Sequence, residues 1–145
     1  MSGDIIDLSP LAKAIARLEE SLRFCDSDLA RRDPALAEQF RAAAIQSFEF
    51  TYELSHKMLK RLLKASLADP AAVEEMSFQD LIRTGNERGL VRSGWISWRD
   101  YRAARSATSH TYDEEKAAEV FAFLPRFLEE AKELLRRLEE ALKGL

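Results

Sequence analysis

Residues 34–68 read PALAEQFRAAAIQSFEFTYELSHKMLKRLLKASLA, and this stretch decides the fold. It lies between the pairs Asp33-Pro34 and Asp69-Pro70 and spans roughly 50 Å as one helix at 1.5 Å per residue. Its large side chains point in several directions: Phe40, Ile45, Phe48, Phe50, Tyr52, Leu54, Met58 and Leu59. A helix that is apolar on several sides is covered on several sides. We therefore predict a central helix, buried partly by its own chain and partly by another subunit.

The segment before this helix forms a helix of its own. Ser9-Pro10 is typical of a helix start, with Ser9 as the N-cap and proline at the first helical position. Apolar side chains then recur at alternating steps of four and three, which places them along one stripe. They are Leu11, Ile15, Leu18, Leu22, Cys25 and Leu29.

Two further helices and a short one follow the central helix. Ser77 with Asp80 resembles a capping box that opens a short helix, and the glycine-containing region after it is predicted to be a loop. A helical segment spans about residues 95–108. The run Thr111–Glu114 matches a second capping box, so the last helix is predicted to start just after His110, with a kink at Pro125.

These elements predict an all-α fold, an antiparallel up-and-down four-helix bundle with one helix split or an extra short helix. Residues 1–145 have the length of one domain. The chain contains only 5 Gly and 4 Pro, too few for an all-β fold with a tight turn every ten residues or so.

The composition excludes several functional classes. The net charge of -3 excludes a uniformly basic nucleic-acid binder, and 2 His with 1 Cys make a zinc site of such ligands hard to build. A lone Cys25 permits no internal disulfide and fits a reducing cytoplasm. Residues 1–8 do not resemble a signal peptide, and no apolar run approaches a membrane span. We predict a cytoplasmic protein with no membrane segment, bound metal or cofactor.

Positive charge is concentrated in one part of the chain. Residues 83–105 contain six arginines against two carboxylates, a net charge of +4, while the other residues sum to -7. Arginines next to Trp95, Trp98 and Tyr101 could bind phosphates or stacked bases, with Arg102 as a candidate contact. The alternative is a solvated helix face whose aromatic side chains belong to the core.

The run Arg105-Ser106-Ala107-Thr108-Ser109-His110-Thr111-Tyr112 is the strongest candidate site. Arg105 supplies a permanent planar cation suited to a phosphate, and His110 has a side chain of the type that exchanges protons near neutral pH. Tyr112 adds a phenolic hydroxyl. Together they can cleave or transfer a phosphodiester. The alternative is a surface arginine, a helix-terminal histidine and a packed tyrosine.

Other polar residues are weaker candidates. Glu49, Glu53 and Lys57 share one side of the central helix and either line a nucleotide or partner site, or form a Glu53–Lys57 pair with Glu49 at a subunit boundary. Glu53-Leu54-Ser55-His56 is a single Glu-x-x-His match, and a di-metal site needs two. The adjacent pair Glu129-Glu130 is predicted to be solvated, and Cys25 to be a buried, unreactive thiol.

Two runs in the chain resemble a known family. Residues 44–57, AIQSFEFTYELSHK, are similar to the long helix of the nucleotidyltransferase substrate-binding proteins, members of the HEPN superfamily of small helical bundles. Arg105 to Tyr112 matches the HEPN pattern of arginine, four residues, histidine, any residue and tyrosine. Both runs occur in the family's order, and the resemblance covers about residues 34–142.

The resemblance implies a function. Such proteins form homodimers or higher homo-oligomers and partner a separately encoded minimal nucleotidyltransferase, often as a toxin–antitoxin pair. Arg105 would bind a phosphate of RNA or of a nucleotide, His110 would act in general acid–base catalysis, and Tyr112 would accept AMP from the partner. Ser106 stands where active HEPN ribonucleases commonly have asparagine, and His56 where the family usually has tryptophan.

Three functions follow as hypotheses. The first is an accessory, substrate-binding subunit of a minimal nucleotidyltransferase. The second is a metal-independent ribonuclease that uses Arg105 and His110. The third is a purely structural interaction bundle.

Overall fold

The structure, a computed structural model, describes residues 6–145. Four long helices make up most of it: α1 (Ser9–Cys25), α3 (Pro34–Ser66), α6 (Trp95–Ala107) and α7 (Glu114–Lys143). Three shorter helices are α2 (Asp28–Arg32), α4 (Pro70–Glu74) and α5 (Phe78–Glu87), and a 3-10 turn spans Thr108–His110. The described residues contain no strand, which confirms the all-α prediction.

The four long helices form an up-and-down bundle. The ring of Phe24, at the end of α1, lies 5.3 Å from that of Phe40, near the start of α3, so these two helices run antiparallel. Ser9 at the start of α1 and Leu142 near the end of α7 line the same surface cleft. Helix α6 packs against both α3 and α7. The predicted topology is therefore confirmed, with the expected short helix after Ser77 and two further short helices between the long ones.

Cap chemistry explains where the helices begin. The Asp33 carboxylate accepts hydrogen bonds from the backbone N–H groups of Ala35 and Leu36, and the Ser77 hydroxyl accepts one from Asp80 at 3.1 Å. These two predicted starts are confirmed. A third prediction, Ser9 as the N-cap of α1, is wrong. Ser9 is already helical, and its N–H donates to the Asp7 carboxylate at 2.9 Å.

The start of α7 also differs from the prediction. The N-cap is Asp113, whose carboxylate accepts from the N–H groups of Glu115 and Lys116, and not Thr111. A carboxylate carries a full negative charge, which the helix N-terminus favours over a neutral hydroxyl. The helix therefore begins at Glu114, and residues 111–113 form a turn in front of it.

Two short helices were absent from the sequence prediction. Helix α2 follows α1 directly, and the Ser27 hydroxyl accepts a hydrogen bond from the N–H of Ala30 at 3.3 Å. Helix α4 lies in the segment between the central helix and Ser77, for which the sequence predicted no element. Each has five residues, too few for an apolar periodicity to repeat.

Aromatic rings fill the centre of the bundle. Phe127 of α7 lies within 5.0 to 6.2 Å of four other rings, those of Phe48, Tyr52, Trp98 and Tyr101. Trp98 and Tyr101 are each only 1% exposed. The alternative that these aromatic side chains belong to the core is therefore correct, and neither can stack on a base.

Replacing Phe127 by alanine is expected to lower the free energy of unfolding by about 3–5 kcal/mol, because four rings lose a partner and a cavity remains. Ile96→Ala is the control, since Ile96 is a large apolar side chain that is 70% exposed. Urea denaturation followed by circular dichroism measures both. A loss in Phe127→Ala no larger than in Ile96→Ala contradicts this account of the core.

A buried carboxylate of α7 binds the loop that precedes α6. Glu130 is fully buried, so the prediction that the pair Glu129-Glu130 is solvated is wrong for this residue. It accepts hydrogen bonds from the N–H of Ser93 at 3.2 Å and from the Tyr101 hydroxyl at 3.4 Å, and the Arg92 guanidinium lies 3.6 Å away. A buried carboxylate needs such partners.

His56, half-buried on α3, makes folding stability depend on pH. Its ring lies 4.7 Å from that of Phe78. Burial lowers the pKa of His56 below the ordinary 6.5, Glu53 opposes this shift, and Lys60 and Arg102 add to it. The unfolded chain therefore binds a proton more readily than the folded chain.

The consequence is testable with His56→Gln. The stabilisation that comes from a neutral His56 is present above the unfolded-state pKa and is lost as the pH falls below it. Between about pH 7.5 and about pH 5 the wild-type chain is expected to lose more unfolding free energy than His56→Gln. Urea denaturation across this pH range gives both slopes. Equal slopes contradict the assignment.

Cys25, predicted to be buried, is only half-buried against the core, and this burial raises the pKa of its thiol. Among residues 6–145, no helix is long and apolar enough to cross a membrane.

Candidate functional site

The arginine–histidine–tyrosine motif lies where the chain turns from α6 into α7. Arg105 is in the last turn of α6, His110 ends the 3-10 turn, and Tyr112 lies in the turn before Asp113. Thr108 holds this corner together. Its hydroxyl donates to the Arg105 carbonyl at 2.7 Å and accepts from the Arg105 guanidinium at 3.0 Å, and its own carbonyl accepts from the Thr111 hydroxyl.

Two carboxylates from α3 contact the Arg105 guanidinium. The distance to Glu53 Oε1 is 3.1 Å, and the distance to Glu49 Oε2 is 3.4 Å. One helical turn separates the two glutamates, so both reach the same cation. The Glu53–Lys57 pair is not formed, and Lys57 is exposed without an ion pair in the described part of the chain. Of the three candidates on α3, the structure brings Glu49 and Glu53 to Arg105 and leaves Lys57 apart.

His110 and Tyr112 extend from the corner into solvent. Both are exposed, and their ring centroids lie 6.1 Å apart. Tyr112 is 84% exposed, which makes its hydroxyl accessible to another protein. The predicted position of Tyr112 inside the first turn of the last helix is wrong, because Tyr112 directly precedes the N-cap residue Asp113. The alternative of a packed tyrosine is also wrong, because the side chain is exposed.

Arg102 and Ser106 lie on the exposed side of α6. The Arg102 guanidinium sits 5.7 Å from the centre of the Phe78 ring, a cation–π contact. The Ser106 carbonyl accepts a hydrogen bond from the Ser109 hydroxyl, and its own side chain faces solvent. Both residues can contact a ligand that extends past Arg105.

The arrangement suits a phosphate group held without metal. Arg105 is about one-third exposed, so a phosphate can reach it by taking the place of the two carboxylates. The imidazole of His110 is exposed at the end of the 3-10 turn that follows Arg105. Among the residues described, no three His, Cys, Asp or Glu side chains are grouped to hold a metal ion.

Sequence reasoning missed the role of Thr108. A hydroxyl three residues after an arginine at a helix end is a weak pattern, because serine and threonine bind nearby carbonyls in many turns. The contact between Arg105 and Glu53 joins residues 52 positions apart, and no local sequence pattern predicts it.

Comparison with known proteins places the chain in a family. The model of a family described as nucleotidyltransferase substrate binding protein like matches residues 6–140. A Haemophilus influenzae protein named probable ribonuclease HepT is 36% identical over 144 residues, 97% of each chain.

A solved structure supports the same assignment. It comes from Haemophilus influenzae and is described as revealing the fold of a substrate-binding domain of a nucleotidyltransferase. It matches with a TM-score of 0.86 and 36% identity, over 92% of this chain and 99% of the other. The predicted resemblance is thereby confirmed, and the chain belongs to the family of nucleotidyltransferase substrate binding protein like chains.

Proposed function

We propose that the chain is the accessory, substrate-binding subunit of a minimal nucleotidyltransferase and accepts AMP on Tyr112, as one half of a toxin–antitoxin-like pair. The observation that carries this proposal is the 84% exposed Tyr112, whose ring lies 6.1 Å from that of His110, in a chain of this family. A partner enzyme can reach the phenolic oxygen without unfolding any helix.

The transfer step is chemically simple. The Tyr112 oxygen attacks the α-phosphorus of ATP held by the partner, the bond to the β-phosphate breaks, and pyrophosphate leaves. The phenolic proton passes to solvent or to a base of the partner. The product is a phosphodiester with one negative charge, next to His110, whose ring lies 6.1 Å from that of Tyr112.

The modification has a physical consequence at the site. A negative phosphodiester close to Arg105 competes with an RNA phosphate for the same guanidinium, and its bulk blocks approach to His110. The modified chain would therefore bind RNA less well than the unmodified chain. This gives the partner enzyme the role of an antitoxin.

Assembly into a dimer belongs to the same proposal. A dimer would bring two copies of Arg105 and His110 together, which supplies a cation and a proton donor from each side of one phosphate. The exposed ring of Phe50 and the partly buried side chain of Leu54 line one cleft on α3, an apolar surface that a second subunit would cover.

Intact-mass spectrometry tests the proposal. The chain is incubated with the minimal nucleotidyltransferase of the same genome and ATP. We expect the mass to rise by one or more adenylyl groups, with none added when ATP or the partner is omitted. An unshifted mass in the presence of an active partner contradicts the proposal.

A second candidate function is a metal-independent ribonuclease. It is favoured by the 36% identical relative named probable ribonuclease HepT. In this reaction a ribose 2′-hydroxyl attacks the adjacent phosphorus, the bond to the 5′-oxygen breaks, and His110 mediates the proton transfer. Arg105 stabilises the charge that develops on the phosphoryl oxygens.

A further inference from the structure

A small polar cleft lies next to the Arg105 site. It has a volume of about 310 Å³ and lies between α3 and the chain around the start of α7. We call it the Gln46 cleft. Its polar lining consists of Glu38, Arg41, Gln46, Glu49 and Thr111.

The Gln46 cleft shares residues with the site already described. Glu49 lines the cleft and also lies 3.4 Å from the Arg105 guanidinium. Thr111 lines it from the turn that carries Tyr112. When a ligand's phosphate lies at Arg105, the group attached to that phosphate can therefore enter the Gln46 cleft.

Most of the polar lining is available to a ligand. Within residues 6–145, the side chains of Glu38, Arg41 and Gln46 form no hydrogen bond or ion pair with another residue. They offer donors from the guanidinium and the amide, and acceptors from the carboxylate and the amide carbonyl. The buried side chains of Ile45 and Ala117 add an apolar floor.

Charge and size indicate the class of ligand. The lining has two carboxylates, Glu38 and Glu49, and one guanidinium, Arg41, so the cleft itself carries a small negative charge. It is therefore unsuited to a phosphate of its own and suited to a neutral group with many donors and acceptors. Its volume is at the lower end of small-molecule sites, which span roughly 300–1,000 Å³.

We propose that the Gln46 cleft binds the nucleoside part, base and ribose, of a nucleotide whose phosphate lies at Arg105. The base rests against the apolar floor, and its polar edge exchanges hydrogen bonds with Gln46 and Glu38. This proposal rests on the proposed function, which places a phosphate at Arg105. The nucleotide comes either from RNA or from the adenylyl group on Tyr112.

Isothermal titration of the chain alone tests the cleft. Adenosine, AMP and inorganic phosphate are titrated separately into the wild type, Gln46→Ala and Gln39→Ala. Gln39 is the matched control, because it is an exposed glutamine on the same helix outside the cleft. Alanine favours the helix at both positions.

The expected result is tighter binding of AMP than of phosphate by the wild type. Gln46→Ala weakens AMP and adenosine binding about tenfold, the effect of losing one good hydrogen bond, and leaves phosphate binding unchanged. Gln39→Ala changes none of the three. The proposal is overturned by undetectable AMP binding, by equal affinities for AMP and phosphate, or by equal effects of the two variants.

A second experiment separates the two sources of the nucleotide. If the adenylyl group on Tyr112 occupies the cleft, the modified chain no longer binds added adenosine, which needs no phosphate site. If an RNA nucleotide occupies it, the modified chain still binds adenosine, and Gln46→Ala weakens binding of a single-stranded oligoribonucleotide. The titration needs no partner enzyme, so failure of adenylyl transfer and failure of the cleft proposal are distinguishable.

Discussion

Tyr112→Phe is expected to abolish adenylyl incorporation completely, because it removes the accepting oxygen and leaves the ring in place. The substitution should not disturb the fold. Tyr112 is 84% exposed, and surface substitutions usually change stability by less than about 0.5 kcal/mol. Intact-mass spectrometry after incubation with the partner and ATP measures the incorporation.

Ser109→Ala is the matched control for this experiment. Ser109 carries an exposed hydroxyl three residues before Tyr112, in the same corner of the chain, and that hydroxyl donates to the Ser106 carbonyl. We expect Ser109→Ala to accept as many adenylyl groups as the wild type. Full modification of Tyr112→Phe would place the acceptor elsewhere.

Arg105→Ala and His110→Ala are each expected to lower RNA cleavage in EDTA by about 100- to 10 000-fold, if the chain acts as a ribonuclease. Arg105 would supply the cation for the phosphate, and His110 the proton transfer. Single-turnover cleavage of a labelled RNA measures the rate. EDTA keeps metal-dependent contaminants out of the signal.

Arg99→Ala is the matched control for the arginine. Arg99 lies on the same helix and is exposed, so it tests the effect of removing one positive charge from the surface. Arg105→Ala also breaks two partly exposed ion pairs, which together contribute little to stability, about 0.2–1 kcal/mol for each pair. Unchanged cleavage in both Arg105→Ala and His110→Ala rules out the ribonuclease mechanism.

The helix starts were largely predictable, because cap chemistry is local. An aspartate or serine directly before a helix satisfies N–H groups two or three residues away, as Asp33 and Ser77 do. The wrong cap predicted for the last helix also has a local cause. Thr111 and Asp113 are both good caps two residues apart, and only the hydrogen bonds to Glu115 and Lys116 decide for Asp113.

The residues of the candidate motif could be predicted from the sequence, but the side chains that contact them could not. The motif from Arg105 to Tyr112 is a local sequence pattern. The approach of Glu49 and Glu53 to Arg105 depends on the packing of α6 against α3, which brings together residues at least 52 positions apart. The burial of Glu130 has the same cause, since its partners come from the loop before α6 and from Tyr101 within α6.

The placement of the aromatic residues required the three-dimensional structure for the same reason. Trp98 and Tyr101 stand in the arginine-rich segment, and their spacing of three along α6 fits a base-stacking surface as well as a core face. The ring of Phe127 on α7 packs against Trp98 and Tyr101, and this contact identifies their side of α6 as a core face. Arg99 and Arg102 on the same helix are exposed, as a solvated helix face requires.

The central claim is that this chain is the partner of a minimal nucleotidyltransferase, and sedimentation velocity of the two purified proteins tests it most directly. The account predicts a new boundary that sediments faster than either protein alone, and co-sedimentation of the enzyme's absorbance with the chain. Two independent boundaries, unchanged at micromolar concentrations of both proteins, would contradict the claim.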